Sequence, residues 1–215
     1  WTEIARPADA ARVTGDALPV LRHDFPAAAQ PGRPAPENAA SVIAVIARAV
    51  ALCMGGEAAA VCTLPINKKA LKDGAGFAFP GHTEYLAHLA GVRQVVMMLA
   101  CEALRVVPVT IHIPLADVPR ALTADLLAAT IRITREGLMR DFGLDEPRLA
   151  VAGLNPHAGE GGAMGGEDAA LIAPVVEGLR AEGFAIAGPL PADTMFHPAA
   201  RARYDDAVVQ YTARV

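Results

Sequence analysis

Residues 148–162 read RLAVAGLNPHAGEGG, and this stretch decides the fold class. It opens with an apolar run without polar alternation, which is typical of a strand buried on both faces of a sheet. Polar residues and glycines follow the run directly. In open α/β sheets, ligands bind just beyond the carboxyl ends of the strands. The stretch therefore predicts a buried strand that delivers Asn155, His157 and Glu160 to a functional site.

The rest of the chain repeats this alternation of apolar runs and helical segments. We predict helices over residues 36–54, 123–142 and 167–182, the second of them capped by Thr123. Further buried strands are predicted at residues 58–64, 94–100, 106–113, 184–188 and 207–209. Pro108 places its strand at a sheet edge or a bulge. Because the strands are apolar throughout and alternate with helices, we predict an α/β fold whose sheet is covered by helices on both faces.

The composition excludes several classes of protein. Hydrophobic residues make up 53% of the 215 residues, which is enough to form a core. The net charge of −4 gives no basic excess for contacts with nucleic-acid phosphates. No uninterrupted apolar run is long enough to predict a membrane span. The 3 cysteines lie in apolar sequence, which predicts buried, reduced thiols and a cytoplasmic location.

Two histidines that follow predicted strands are candidate metal ligands. His112 and His157 each come after an apolar run, and imidazoles from two strand ends can share a divalent metal with a third ligand from elsewhere. The alternative is that each histidine is a hydrogen-bonded structural residue. Asp193 is a further polar residue, after the predicted strand at 184–188. The sequence GEGGAMGG at 159–166 lacks the G-x-G-x-x-G frame, so a Rossmann dinucleotide site is not predicted.

A candidate anion site lies earlier in the chain. The sequence GHTE at residues 81–84 precedes a helical stretch. The N–H groups at a helix N-terminus, together with His82 and Thr83, suit a phosphate, and the alternative is that Thr83 only caps the helix. Lys68 and Lys69 are either solvated charges or, if one is aimed at the site, a partner for phosphate or carboxylate.

Five segments of the chain resemble one known family. They read PGHTE at 80–84, VMML at 96–99, HIPL at 112–115, GLNPHAGEGG at 153–162 and GPLPADT at 188–194. In this order and spacing the chain is similar to the 4-hydroxythreonine-4-phosphate dehydrogenase family of vitamin B6 biosynthesis. The resemblance implies an isocitrate-dehydrogenase-like fold, with two α/β domains around a cleft and a homodimer that shares its sites.

The resemblance also implies a division of the chain into domains. Residues 1–79 are expected to form part of the first α/β domain. Residues 80–200 are expected to form the second α/β domain, which carries the metal and the dimer contacts. Residues 201–215 are expected to begin the return to the first domain.

The family reaction implied by the resemblance is the NAD- or NADP-dependent oxidation of 4-phosphooxy-L-threonine. The oxidised product then loses carbon dioxide and gives 3-amino-2-oxopropyl phosphate for pyridoxal 5'-phosphate synthesis. In family terms, His82 and Thr83 match substrate-binding positions. His112 and His157 match ligands of a divalent metal (Zn, Mg or Co). Lys68 and Asp193 match recurrent positions, to which we assign catalytic proton-transfer or orienting roles, while the residues that bind the nicotinamide cofactor stay unassigned.

Two family segments are not found in this chain. The N-terminal Gly-Asp/Glu-Pro-Ala-Gly-Ile-Gly segment has no match. The family histidine that serves as the third metal ligand follows the segment equivalent to residues 204–209, where this chain continues as QYTARV. Because the motifs that are present are intact, we expect the chain to be part of a longer enzyme.

Other functions stay open at this point. The enzyme could be a paralogue that oxidises 4-phosphoerythronate, another phosphorylated sugar acid or a cis-dihydrodiol. A second alternative is a noncatalytic fragment that binds metal or phosphate. A third is a metal-dependent hydrolase that uses His112 and His157, which has less support because no carboxylate-rich cluster accompanies them.

Overall fold

The computed structural model describes residues 1–13 and 15–211. They form two compact units that divide after Gln94. The boundary expected after residue 79 lies within the first unit, in the loop that precedes a helix. The helix that carries His82 and Thr83 consequently belongs to the first unit rather than to the second.

The first unit consists mainly of three helices around a small apolar cluster. They are α1 (Ala39–Met54), α2 (Lys68–Ala75) and α3 (His82–Leu89). Two short strands, β1 (Thr2–Glu3) and β2 (Pro19–Val20), pair in parallel. The cluster contains Ala39, Ile46, Leu71, Phe77 and Tyr85. The helix predicted over 36–54 is confirmed, because a 3-10 turn at Pro36–Asn38 leads into α1, which ends at Gly55.

Helix α1 is also the one segment in the described chain that is long and apolar enough to cross a membrane, counted with its leading turn as Pro36–Met54. Its residues Ala39 and Ile46 are buried in the cluster with α2 and α3 residues. Together with Val50 they are the buried residues of α1, and the rest of the helix is partly or fully exposed.

The strand predicted at residues 58–64 does not form. This segment has no regular secondary structure, and Leu64 is 86% exposed. A strand needs a neighbour that pairs with its backbone N–H and C=O groups. In the described part of the first unit the only paired strands are β1 and β2, so the apolar run has no ladder to join.

The second unit is built on a five-stranded mixed sheet in the order β3-β4-β7-β5-β6. Its strands are β3 (Leu99–Cys101), β4 (Leu104–Thr110), β5 (Leu149–Ala152), β6 (Ile186–Leu190) and β7 (Asp206–Tyr211). Strand β3 is antiparallel to β4, and the other four are parallel to one another. The α/β class and the strands predicted in 148–154, 184–188 and 207–209 are confirmed. Of the strand predicted at 94–100, only its end is paired, as part of β3.

Strand β7 is the central strand of this sheet, between β4 and β5. Residues 206–210 are fully buried, so both faces of β7 are covered. The structure thus assigns the described part of 201–215 to the second unit rather than to a return to the first domain. Residues 212–215 lie outside the described chain.

Two different layers cover the sheet. Leu149, Val151 and Val208 face helices α5 (Ala124–Phe142) and α6 (Ala173–Ala181) in the main core. The alternate residues of the same strands are mostly alanine and pack against a layer that contains Ala192, Met195 and Tyr204. Both faces are therefore covered as predicted, although only the first by long helices. The short helices α4 (Val118–Ala121) and α7 (Pro198–Arg201) complete the unit.

Local sequence signals explain how several of these elements begin. Thr123 caps α5 as predicted, because its hydroxyl oxygen accepts from the backbone N–H of Leu126 at 3.1 Å. Pro108 lies beyond the part of β4 that β3 covers, which ends at Val106, so its missing N–H faces no strand on that side. Pro174 enters α6 directly after a π-helical turn at Asp168–Ile172, where a missing N–H is tolerated.

Candidate active site

The carboxyl ends of β4, β7, β5 and β6 lie at one edge of the sheet, because these strands are parallel. We call it the carboxyl edge. His112 follows β4, His157 follows β5 and Asp193 follows β6. Strand β7 separates β4 from β5, so the strands that carry the two histidines lie about 10 Å apart. Three of the residues predicted for the site are therefore brought to the same edge.

His157 lies beside Asp193. Its Nδ1 is 3.6 Å from an Asp193 carboxylate oxygen, and the two side chains are 56% and 53% exposed. This separation is slightly longer than a direct hydrogen bond. A carboxylate next to Nδ1 favours a proton on that nitrogen and leaves Nε2 available to a ligand. Asp193 thus lies on the Nδ1 side of the His157 ring.

Both candidate metal ligands have a left-handed backbone. His112 has φ 57° and His157 has φ 53°. His157 opens a turn at residues 157–161 in which every φ is positive, from 42° to 79°. A left-handed conformation costs a non-glycine residue about 1–2 kcal/mol. Such outliers persist only where the surroundings enforce them, and they cluster at functional sites.

The buried carboxylate of Asp168 lies directly behind this turn. It is 1% exposed, and its oxygens accept from the backbone N–H of Leu154 at 2.8 Å and of Asn155 at 3.1 Å. The side-chain amide of Asn155 also donates to it at 3.0 Å, and to Glu167 at 2.8 Å. These hydrogen bonds to Asp168 hold the segment between β5 and His157 in place.

Gln210 connects three strands near the same edge. Its side-chain nitrogen donates to the backbone oxygen of Ala152 at 2.7 Å, and its own backbone oxygen accepts from the Thr110 hydroxyl at 2.7 Å. Its Oε1 has no hydrogen-bond partner within the described residues. These bonds fix β4, β7 and β5 relative to one another just below the candidate site.

A second group of candidate residues surrounds the N-terminus of α3. Gly81 is the N-cap and no side chain caps the helix, so the alternative in which Thr83 is the cap is wrong. His82 and Thr83 are the first residues of the helix, where backbone N–H groups lack intrahelical partners. The His82 Nε2 is buried without a hydrogen-bond partner in the described chain.

Lys68 approaches the same helix end. A Cβ atom placed on Gly81 would lie 3.5 Å from the Lys68 Nζ and 3.3 Å from a carboxylate oxygen of Glu84. Lys69, in contrast, pairs with Asp73 at 2.5 Å on the exposed face of α2. The two adjacent lysines are therefore distinguished: Lys68 joins the group at α3, and Lys69 is a solvated surface charge.

The described residues supply only part of a metal site. They contain no group of three or more His, Cys, Asp or Glu side chains placed to hold a metal ion. His112, His157 and Asp193 nevertheless provide the imidazole and carboxylate donors that zinc-type sites use. The donor chemistry fits a divalent metal, with the ligand set incomplete.

One strongly perturbed carboxyl lies away from the carboxyl edge. Asp206 begins β7, and neither of its carboxylate oxygens has a hydrogen-bond partner among the described residues. Burial raises the pKa of Asp206 to about 7, against the opposing influence of Arg105. Its location at the amino end of β7 excludes it from the group of His112 and His157.

The comparisons with known proteins agree with this architecture. A protein-family model described as "Pyridoxal phosphate biosynthetic protein PdxA" matches residues 1–212. The chain belongs to the PdxA family. It is similar to the 4-hydroxythreonine-4-phosphate dehydrogenase of Paracoccus denitrificans, with 64% identity over 215 residues that cover 98% of this chain and 66% of the relative. The chain thus spans about two thirds of the length of the curated relatives it matches.

Solved structures of dehydrogenases share the fold of this PdxA family member. The 4-hydroxythreonine-4-phosphate dehydrogenase from Klebsiella pneumoniae matches with a TM-score of 0.88 at 35% identity, and covers 99% of this chain and 64% of its own. A terephthalate 1,2-cis-dihydrodiol dehydrogenase from Burkholderia xenovorans matches with a TM-score of 0.72 at 26% identity, over 100% of this chain and 65% of its own. The resemblance inferred from the sequence motifs is confirmed.

Two residues near the carboxyl edge, Asp168 and Gln210, are not predicted from the sequence. Asp168 falls inside the helix predicted over 167–182, and its signal is an acidic residue just after a glycine-rich turn. Gln210 directly follows the apolar run at 207–209, and its signal is the polar group itself, since a buried amide needs hydrogen-bond partners. Neither signal identifies the hydrogen-bond partners of the residue, because these are set by the fold.

Proposed function

We propose that the complete protein oxidises the secondary alcohol of 4-phosphooxy-L-threonine with NAD or NADP. Loss of carbon dioxide from the oxidised product then gives 3-amino-2-oxopropyl phosphate for pyridoxal 5'-phosphate synthesis. The observation that carries the proposal is the 64% identity to a protein named 4-hydroxythreonine-4-phosphate dehydrogenase over 98% of this chain. The site geometry of each unit supports it separately.

The group at the N-terminus of α3 is proposed to bind the substrate phosphate. Helix N-terminal N–H groups and the helix dipole favour an anion. The Lys68 ammonium adds a positive charge close to the Glu84 carboxylate, and the unpartnered His82 Nε2 and the Thr83 hydroxyl add hydrogen-bonding atoms. Phosphate binding here would hold the substrate and would restrict its orientation.

His112 and His157 are proposed to hold a divalent metal such as Zn, Mg or Co. When bound, the metal would polarise the substrate hydroxyl during oxidation and the resulting carbonyl during decarboxylation. Asp193 would keep the His157 proton on Nδ1, so that Nε2 stays available as a ligand. Lys68 is likewise proposed for proton transfer, because its ammonium can donate a proton and the neutral amine that remains can accept one.

The proposal extends to the setting in which the enzyme works. We propose a homodimer in the cytoplasm. The three cysteines are free, and Cys62 and Cys101 are exposed rather than buried as the sequence predicts, which suits a reducing compartment. Leu115 is 64% exposed shortly after His112 and offers apolar surface to a second copy. Light scattering of the full-length protein tests the dimer, and a monomeric mass would contradict it.

The activity is tested by following NADH formation with the full-length protein. We expect turnover with 4-phosphooxy-L-threonine in the presence of a divalent metal, and loss of turnover in His157→Ala with the fold intact. His88→Ala, which changes an exposed histidine of α3, is the matched control and should retain activity. No NADH with any phosphorylated hydroxy acid would reject the proposal.

A second candidate function is oxidation of a cis-dihydrodiol. It is favoured by the TM-score of 0.72 to a terephthalate cis-dihydrodiol dehydrogenase. Turnover of an unphosphorylated dihydrodiol, together with none of a phosphorylated hydroxy acid, would select it. The Lys68 ammonium and the backbone N–H groups at the N-terminus of α3 favour the phosphorylated substrate.

A further inference from the structure

We infer that Asp168 is a positioning residue that holds His157 at the carboxyl edge, and this inference rests on the function proposed above. Asp168 does not itself reach the substrate side of the turn. It acts on the backbone that connects β5 to His157. The argument depends on its burial, on the donors it binds and on the close approach of two glycines.

Asp168 is a fully buried carboxylate held by neutral donors. The partners of its oxygens within the described chain are two backbone N–H groups, of Leu154 and Asn155, and the side-chain amide of Asn155. These donors come from consecutive residues just before His157. A buried carboxylate is costly unless it is hydrogen-bonded, so these bonds constrain the backbone strongly.

The backbone on both sides of His157 lies close to the same carboxylate. A Cβ atom on Gly153 would lie 2.8 Å from the Asp168 Oδ1 and 2.8 Å from the Ala158 Cα. A Cβ atom on Gly159 would lie 3.3 Å from the Asp168 Oδ2. A side chain at Gly153 would therefore collide with Asp168 and one at Gly159 would be in tight contact with it, so the carboxylate lies between the strand end and the turn.

The turn itself needs such an anchor. His157, Ala158 and Glu160 are non-glycine residues with φ between 42° and 53°. Without compensating contacts these residues would relax towards right-handed or extended backbone. That relaxation would move the His157 ring away from Asp193. By holding this turn, the buried Asp168 carboxylate thus determines where the exposed His157 ring points.

The test compares Asp168→Asn with wild type in the full-length protein. Asparagine keeps the shape but replaces one acceptor oxygen by a donor, so at least one bond to Leu154 or Asn155 is lost. We expect zinc alone, measured by calorimetry, to bind at least tenfold more weakly. In the metal-free protein we expect the His157 ring resonances to shift. We expect kcat to fall at least tenfold and the KM for the phosphorylated substrate to change by less than about threefold, because the α3 group is untouched.

Asp206→Asn is the matched control, because Asp206 is the other fully buried aspartate and begins β7 at the far end of the strand. It should leave the His157 resonances and the zinc affinity unchanged. Unchanged resonances and unchanged zinc affinity in Asp168→Asn would overturn the inference. If that variant does not fold, Asn155→Ala removes one donor to the same carboxylate and must shift the His157 resonances, and an unshifted spectrum again overturns it.

The two proposals fail in different ways. A wild-type protein without NAD-dependent turnover whose Asp168→Asn variant still shifts the His157 resonances would reject the proposed function and keep the positioning role. The opposite result is also possible: the wild-type protein turns over 4-phosphooxy-L-threonine, and Asp168→Asn equals it in kcat, zinc affinity and spectrum. That result would keep the proposed function and reject the positioning role of Asp168.

Discussion

Asp205 and Asp206 are adjacent carboxyls with opposite environments. Arg148 donates to both oxygens of Asp205, at 2.8 and 3.1 Å, and these hydrogen bonds lower the pKa of Asp205. Burial instead raises the pKa of Asp206 from 3.8 to about 7. Asp206 therefore stays protonated in the folded protein at pH values where it is ionised in the unfolded chain. Below pH 4 the Asp206 carboxyl is protonated in both states, so its burial does not reduce the free energy of unfolding. As the pH rises from 4 towards 7, ionisation in the unfolded chain alone lowers the free energy of unfolding.

Asp206→Asn should consequently stabilise the protein at high pH. A shift of about three pKa units is worth roughly 4 kcal/mol, so we expect the free energy of unfolding to rise by about 2–4 kcal/mol at pH 8 and to change little at pH 4. Urea denaturation between pH 4 and pH 8 measures this. Asp205→Asn should show the opposite trend, with a loss at pH 8 that shrinks as the pH falls. A pH-independent effect of Asp206→Asn would contradict the assignment.

The adjacent lysines allow a similar comparison for the substrate. Lys68→Met should raise the KM for 4-phosphooxy-L-threonine by about tenfold or more, because a charge-assisted hydrogen bond is worth about 1.5–3 kcal/mol. Lys69→Met should leave the KM unchanged, since Lys69 pairs with Asp73 on the surface. Steady-state kinetics decide the role of Lys68. A fall in kcat with the KM unchanged would instead assign proton transfer to it.

At the scale of elements, the sequence predicts best where a segment carries its own signals. Helix α5 has a threonine cap, regular apolar spacing and a left-handed Gly143 at its end, and its predicted and observed bounds agree. Residues 58–64 have the apolar character of a strand but no neighbour to pair with. Pairing is a property of two segments, so one segment alone does not determine it.

The cap of α5 gives a prediction at this scale. Thr123→Ala should lower the free energy of unfolding by about 1 kcal/mol, because the N–H of Leu126 loses its acceptor. Thr123→Ser keeps the hydroxyl and should cost far less. Thermal or urea unfolding of the two variants measures the difference, and equal stabilities would show that the hydroxyl contributes nothing.

At the scale of the whole molecule, the candidate site was only partly predictable. The motifs identify His112, His157 and Asp193, and the parallel strands bring them to one edge, as strand-end residues should be. The contribution of Asp168 depends on a bond between residues 14 positions apart in sequence. The order of the sheet, with β7 between β4 and β5, leaves no local trace in the sequence. The bonds of Asp168 and the strand order are set by tertiary contacts between distant segments, so the sequence of one segment does not predict them.

Hydrogen exchange of the 215-residue chain tests the contrast between its two units. Amides of β5 and β7 should exchange most slowly, because they are buried and β7 is paired on both sides. Amides of residues 58–64 should exchange fastest outside the termini, since they join no strand ladder. Equal protection of residues 58–64 and β5 would contradict the description of the first unit.

The position of β7 has a consequence for synthesis on the ribosome. Strands β4 and β5 do not pair with each other, because β7 lies between them. Strand β7 is also the last of the five strands to be translated. A nascent chain that ends before residue 206 must therefore hold two separate half-sheets with unpaired inner edges. Unpaired strand edges can pair with other chains, so the nascent chain is most prone to aggregation at this stage.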